Sequence, residues 1–226
     1  FDQAFLAAGY SQVPVHIIGS DPGVTAAFNG ATHMPFEDGA LYMTVPGAVV
    51  IDSCDYVQTK SLTKKLAEYP KLSYMRLIRK NFKTIYADGS EFEIGKGVTL
   101  KDGKDVTIIA SGIMLDEALR AEEILSAEGI SARVIDMHTW KPIDEELICK
   151  AAEETGCIVT AENHQVGCGL GSAVANVLVA NKPVPMERVG IQDRFGQVGP
   201  QDFLMKEYNL MAEDIVEAVK KVISRK

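Results

Sequence analysis

Short apolar runs alternate with stretches of helical period along most of this chain. That alternation predicts mostly parallel strands with helices between them. Residues 13–18 (VPVHII) have the pattern of a buried strand, and the polar loop 19–33 follows. A helical segment starts at Met34 and breaks near Pro46 and Gly47, and 48–51 reads as a short strand. Residues 55–69 form an amphipathic helix with Lys60, Lys64 and Lys65 on its outer face, and 72–78 is the next strand. Between 82 and 94 the pattern changes. Asp88-Gly89 lies between two β-rich runs, which is a hairpin signal. Residues 95–105 (GKGVTLKDGKD) are polar and glycine-rich and read as a boundary.

The second block is more regular. Residues 106–110 are a strand, and Asp116 caps a helix that ends at Gly129, with Leu119, Ile124 and Leu125 on its inner face. A strand over 131–137 follows. Pro142 precedes a helix over 144–155 that Gly156 ends. Then come a strand over 157–161, a glycine turn, a helix over 172–180, a strand over 186–191 and a closing helix over 212–223. This order predicts an open, doubly wound sheet. At the other end, residues 1–9 read as the middle of a helix with no N-cap before them. They are expected to continue a longer polypeptide.

Composition changes this picture little. The length of 226 residues suits one large domain or two ordinary ones, and 46% hydrophobic with 24% charged residues is ordinary for a soluble globular protein. The net charge of -8 argues against a nucleic-acid or anionic-membrane surface. No apolar run approaches the roughly 18 residues of a membrane span, and no signal-peptide pattern is visible. Cys54, Cys149, Cys157 and Cys168 form no C-x-x-C pair, which predicts reduced thiols in a cytoplasmic protein.

The chemistry-bearing residues gather in two places. The loop after strand 13–18 reads GSDPGVTAAFNGATHMPFED and holds Asp21, Asn29, Thr32 and His33. Ligands of open α/β sheets sit beyond the carboxyl ends of strands, so a long loop there is a natural site. His33 is either a hydrogen-bond donor or proton carrier to a ligand, or an anchor for its own loop. The second place is residues 162–175, ENHQVGCGLGSAVA, where an apolar strand runs into a polar turn, a glycine cluster and a small-residue helix. Alone this is a weak dinucleotide-type signal, because the third position of G-x-G-x-x-G is Ser172.

Taken with residues 189–200, VGIQDRFGQVGP, that glycine cluster resembles the C-terminal domain of transketolases and related thiamine-diphosphate enzymes. Residues 30–38, GATHMPFED, resemble the G-A/P-T-H-Q stretch of the transketolase pyrimidine-binding domain. The resemblance covers essentially the whole chain. It implies an α/β protein of two open, mostly parallel doubly wound sheets: an N-terminally incomplete pyrimidine-binding domain over 1–97 and a transketolase C-terminal domain over 104–226.

By the same resemblance, Phe1 matches an aromatic of the aminopyrimidine pocket, and His33 matches a histidine near the reacting carbons of the ketose. Arg79 matches an arginine that holds a sugar phosphate, with Arg76 and Lys80 as alternatives. Asp21 and Asn29 stand where many transketolases carry His and Asp, which recognise hydroxyls of the donor. The family gives Glu162 and His164 no chemical step. It uses residues such as Asp193, Arg194 and Phe195 in packing between domains, and His138 and Trp140 as core or loop support. The cofactor implied is thiamine diphosphate with Mg²⁺. The G-D-G…N segment that holds the metal does not occur in this sequence, and the family's activating glutamate falls before the position of Phe1. The chain is therefore expected to transfer a two-carbon ketol unit between sugar phosphates only with an N-terminal transketolase subunit, as a homodimer or heterotetramer. Alone it is expected to be inactive. Two other outcomes fit the pattern: a subunit like the β chain of 2-oxoacid dehydrogenases or like deoxyxylulose-phosphate synthase, and a non-catalytic module that keeps the fold.

Overall fold

The computed structural model describes residues 1–80 and 82–226. Two sheets form the frame. In the first, β1 (His16–Ser20), β3 (Ser73–Leu77) and β2 (Val49–Asp52) run parallel, with Ile17 opposite Tyr74 and Ile51 opposite Met75. The second has the order β4-β6-β5-β8-β9, with β4 at Val98–Lys101, β5 at Val106–Ala110, β6 at Ala132–Asp136, β8 at Ile158–Gln165 and β9 at Met186–Ile191. Only β4 is antiparallel there, to β6. All of β5 and β6 is buried, as expected of strands covered on both faces. Ile108 points into one cluster with α3 (Met114–Ala127) and α7 (Ala212–Ile223). Ile109 points into another with α4 (Glu145–Thr155) and α5 (Leu170–Asn181). Helices therefore cover both faces of the sheet, and α6 (Gln201–Glu207) lies beside the first block.

The two halves interlock. The strand β7 (Thr139–Lys141) comes from the second half but joins the first sheet, antiparallel to β2, giving the order β1-β3-β2-β7. One core cluster also mixes Val24, Met34, Phe36 and Cys54 of the first half with Ile108, Val134 and Ile215 of the second.

Two local expectations fail for clear reasons. The hairpin expected over 82–94 is absent among the described residues. The backbone donors of Ile85 and Tyr86 go to Asp55 Oδ2 at 2.9 and 3.0 Å, and that of Phe92 goes to Ser61 Oγ at 3.0 Å. Side chains of α2 (Tyr56–Ala67) and its N-cap thus take the place of an opposing strand. The helix expected from Met34 starts later, as α1 (Asp38–Met43). Pro35 disfavours helical geometry in the residue before it, and Met34 is extended at φ -114°, ψ 80°. Upstream of it the chain makes tight 3₁₀ turns over Gly23–Asn29 and Ala31–His33. No helix among the described residues is long and apolar enough to cross a membrane.

Candidate active site

The site forms where β1 and β3 end side by side. The ladder continues one residue past β1, with Asp21 N donating to Leu77 O at 2.8 Å. Asp21 then turns into the left-handed region at φ 57° and is 4% exposed. From Pro22 to Phe36 the chain loops out and returns, and Gly23 N closes the neck by donating to Pro35 O at 2.9 Å. Ala27 holds φ 46° and ψ -111°, a conformation that costs an alanine about 1–3 kcal/mol and persists only under surrounding constraint. At the tip Asn29, Thr32 and His33 are exposed, and Thr32 Oγ1 lies 2.9 Å from His33 Nδ1. Arg79, just beyond β3, places its guanidinium on the Asp21 carboxylate, which also accepts from the Arg79 backbone N–H at 3.4 Å.

These residues line one open pocket of about 530 Å³, with Asp21, Asn29, Thr32, His33, Glu37 and Arg79 on its walls. Five residues singled out in the sequence, Asp21, Asn29, Thr32, His33 and Arg79, thus meet in space. Phe1 is not on those walls. Its half-exposed ring packs edge-on against Tyr42 at 6.1 Å and lies 5.8 Å from Phe5. Arg76 faces away from the pocket and is fully buried. Its Nε meets Asp38 at 3.0 Å, its Nη1 meets Asp52 at 3.3 Å, and its Nη2 donates to Asn163 O at 2.9 Å. Of the two arginines in this segment, only Arg79 reaches the pocket. Lys80 borders a neighbouring cavity instead.

A polar layer underlies the pocket and joins the two sheets. Asp38 also accepts from Tyr74 OH at 2.8 Å. Asp52 accepts from Ser111 Oγ at 2.8 Å, and Ser111 Oγ accepts from Trp140 Nε1 at 3.0 Å. Glu162 is fully buried and takes the backbone N–H groups of Leu170 and Gly171 at 2.7 and 2.8 Å, so it caps the start of α5. Sequence reasoning passed over Asp38 and Asn163 and offered Arg76 only as a phosphate holder, whereas its guanidinium is buried between Asp38 and Asp52. The available signal was an arginine inside a strand buried on both sides, which requires paired carboxylates. Arg194 stays on the surface with Glu207 and over the Tyr208 ring at 4.7 Å. Phe195, expected to pack, is 97% exposed. The adjoining glycine does pack: there is no room for a Cβ at Gly196 against Met34.

The buried layer makes stability depend on pH. Burial pushes the Glu162 carboxyl from its ordinary 4.5 up to about 8, against the pull of its two N–H donors. The folded chain therefore binds a proton there that the unfolded chain releases, and stability falls as pH rises through that window. Burial, with Arg76 beside it, lowers His164 from 6.5 to about 4, so stability also falls as pH drops from 6.5 to 4. The two slopes oppose each other between 4.5 and 6.5, and above 6.5 the Glu162 slope acts without His164. The thermal midpoint of Glu162→Gln should decline less between pH 6.5 and 8 than that of the unaltered chain. Parallel melting curves for the two across that window would contradict this assignment.

The comparisons with known proteins agree along the chain. A model of the transketolase pyrimidine binding domain matches residues 1–84, and one of the transketolase C-terminal domain matches residues 95–215. The chain is 44% identical over 225 residues to a 6-deoxy-6-sulfo-D-fructose transketolase subunit of Clostridium sp. (strain MSTE9), covering 100% of this chain and 70% of that one. It is 40% identical over 225 residues to an apulose-4-phosphate transketolase subunit of Phocaeicola vulgatus, covering 99% and 72%. A solved structure described as a split gene transketolase, inactive beta4 tetramer, superimposes with a TM-score of 0.91 at 40% identity, over 99% of this chain and 71% of that one.

Proposed function

Because the chain belongs to the transketolase family, we propose that it supplies the substrate-facing part of a split, thiamine-diphosphate-dependent transketolase. That enzyme moves a two-carbon ketol unit from a ketose phosphate to an aldose phosphate. One observation carries this reading. Asp21, Asn29, His33 and Arg79, with Asp21 and Arg79 58 residues apart in sequence, converge on one polar pocket at the carboxyl ends of β1 and β3.

Thiamine diphosphate, when bound, supplies the carbanion chemistry of the transfer. The half-exposed ring of Phe1, with Phe5 and Tyr42 beside it, fits a flat heteroaromatic base. Among the described residues no three His, Cys, Asp or Glu side chains group so as to hold a metal ion. On this reading an N-terminal transketolase subunit holds Mg²⁺ and the diphosphate, and the active site lies between chains in a homodimer or heterotetramer in the cytoplasm. His33 stands exposed at the pocket rim, where it donates a hydrogen bond or moves a proton at the ketol carbons. Asn29 and Asp21 bind donor hydroxyls. The planar fork of Arg79 suits a phosphate, which takes it over from Asp21.

The test is reconstitution. The chain, mixed with a diphosphate-binding transketolase subunit, thiamine diphosphate and Mg²⁺, should transfer ketol units from a ketose phosphate, and neither chain should do so alone. Turnover of pyruvate by the complex would point to an oxoacid dehydrogenase or deoxyxylulose-phosphate synthase instead. Failure to bind any thiamine analogue would point to a non-catalytic module. In the active complex, Arg79→Ala should raise the KM for a phosphorylated donor about tenfold, the effect of losing one charge-assisted contact at an exposed site. It should leave a donor without a phosphate unaffected. An equal rise for both donors would remove Arg79 from phosphate binding.

A further inference from the structure

The tip of β8 crosses from the second sheet into the loop that builds the pocket. Asn163 is 2% exposed and uses both ends of its amide. Its Oδ1 accepts from Val24 N at 3.0 Å and its Nδ2 donates to Pro22 O at 2.9 Å. Two residues on, Gln165 N donates to Phe36 O at 2.8 Å. Pro22 and Phe36 are the two ends of the segment that carries Asn29, Thr32 and His33, so β8 holds that segment at both ends. Asn163 itself is fixed. Its carbonyl is bound by Arg76 Nη2 at 2.9 Å, and its neighbours Glu162 and His164 are fully buried. The approach is close enough that a Cβ on Gly23 would overlap the Asn163 amide, and Gly23 also sits at φ 55°.

We infer that Asn163 is a positioning residue for the donor pocket. By holding Pro22 and Val24 it sets where Asp21, Asn29 and His33 stand relative to Arg79. It touches no substrate and acts through the loop backbone. Val24, Met34 and Phe36 pack this segment into the core, while the Asn163 amide fixes the register of its entry at Pro22 and Val24; small displacements of reacting groups cost rate steeply. The inference rests on reading that pocket as the donor site. It gives the C-terminal half a part in donor binding, through a side chain more than a hundred residues away in sequence from the loop it holds.

The test uses the assembled two-chain enzyme with Asn163→Ala, Gly23→Ala, the double variant, and His33→Ala as a control. Asn163→Ala should raise the donor KM about tenfold, as expected when a binding loop loses its register. The Kd for thiamine diphosphate and the assembly should stay unchanged. The double variant should lose less than the product of the two single effects, because the methyl at residue 23 enters the space the amide leaves. A donor KM within twofold of the unaltered enzyme, while His33→Ala impairs transfer, overturns the inference and leaves the pocket reading intact. If His33→Ala also changes nothing, the pocket reading fails first. Should Asn163→Ala not assemble, amide exchange of the unaltered chain decides. The Val24 amide must exchange as slowly as that of Leu170, and fast exchange at Val24 overturns the inference.

Discussion

Replacing Arg76 with methionine is expected to destabilise the chain by about 3–5 kcal/mol, the usual cost of removing one partner from a buried ion pair. Arg76 is 0% exposed and stands between Asp38 and Asp52, with the Asn163 carbonyl on its remaining edge and the Trp140 ring 5.2 Å from its Cζ. Methionine fills part of the volume but leaves two buried carboxylates without their guanidinium. Burial already pushes Asp52 upward, and only the arginine and the Ser111 hydroxyl oppose that. Asp38 stays below the ordinary carboxylate range, with burial opposed mainly by the same guanidinium. The variant should therefore recover part of its deficit as pH falls and these groups protonate. The triple variant Arg76→Met, Asp38→Asn, Asp52→Asn should be more stable than the single one, because no unpaired charge remains buried. Urea unfolding at pH 7.5 and pH 5.5 reads all three. A loss under about 1 kcal/mol for the single variant would mean that the carboxylates are neutral in the native chain.

The second large effect is on turnover. His33→Ala in the assembled enzyme should lower kcat/KM for ketol transfer by about 10² or more, within the range for removing a positioned acid–base group. Stability should change by less than about 0.5 kcal/mol, because His33 is exposed and, among the described residues, its side chain pairs only with the neighbouring Thr32. That separation is informative: Arg76→Met costs folding, whereas His33→Ala costs chemistry. His33→Gln keeps a hydrogen-bond donor but carries no titrating proton. Recovery by glutamine would make His33 a donor to a hydroxyl or carbonyl, and no recovery would make it a proton carrier. Unchanged turnover in both variants would leave His33 as an anchor of its own loop.

Much of the second sheet was legible because its strands are short, mainly apolar runs set between helical stretches and turn signals. The runs at 106–110, 131–137, 157–161 and 186–191 all became neighbours in one sheet. The end of α4 was legible too, since Gly156 takes the left-handed conformation at φ 71°. What could not be read were pairings settled far away along the chain. The three residues of β7 carry no period of their own, and their strand exists because β2 offers an edge. The 82–94 segment has β-type composition, but Asp55 and Ser61 took its donors. In the site, the motif around residue 30 marked the loop and His33. It could not show that the Arg79 fork rests on Asp21, or that Asn163, read as part of a polar turn but lying within β8, ties the loop down. Both are contacts of side chains with distant partners, which local patterns do not encode.

The strand that the second half lends to the first has a consequence during synthesis. The β2 strand, buried at all four positions in the finished chain, cannot be covered on its outer side until Thr139–Lys141 have left the ribosome, some ninety residues later. At roughly 5–20 residues per second that interval lasts several seconds, far longer than collapse or helix formation takes. Throughout it the nascent chain carries an open apolar sheet edge, the feature most prone to pairing with a neighbouring chain on the same polysome.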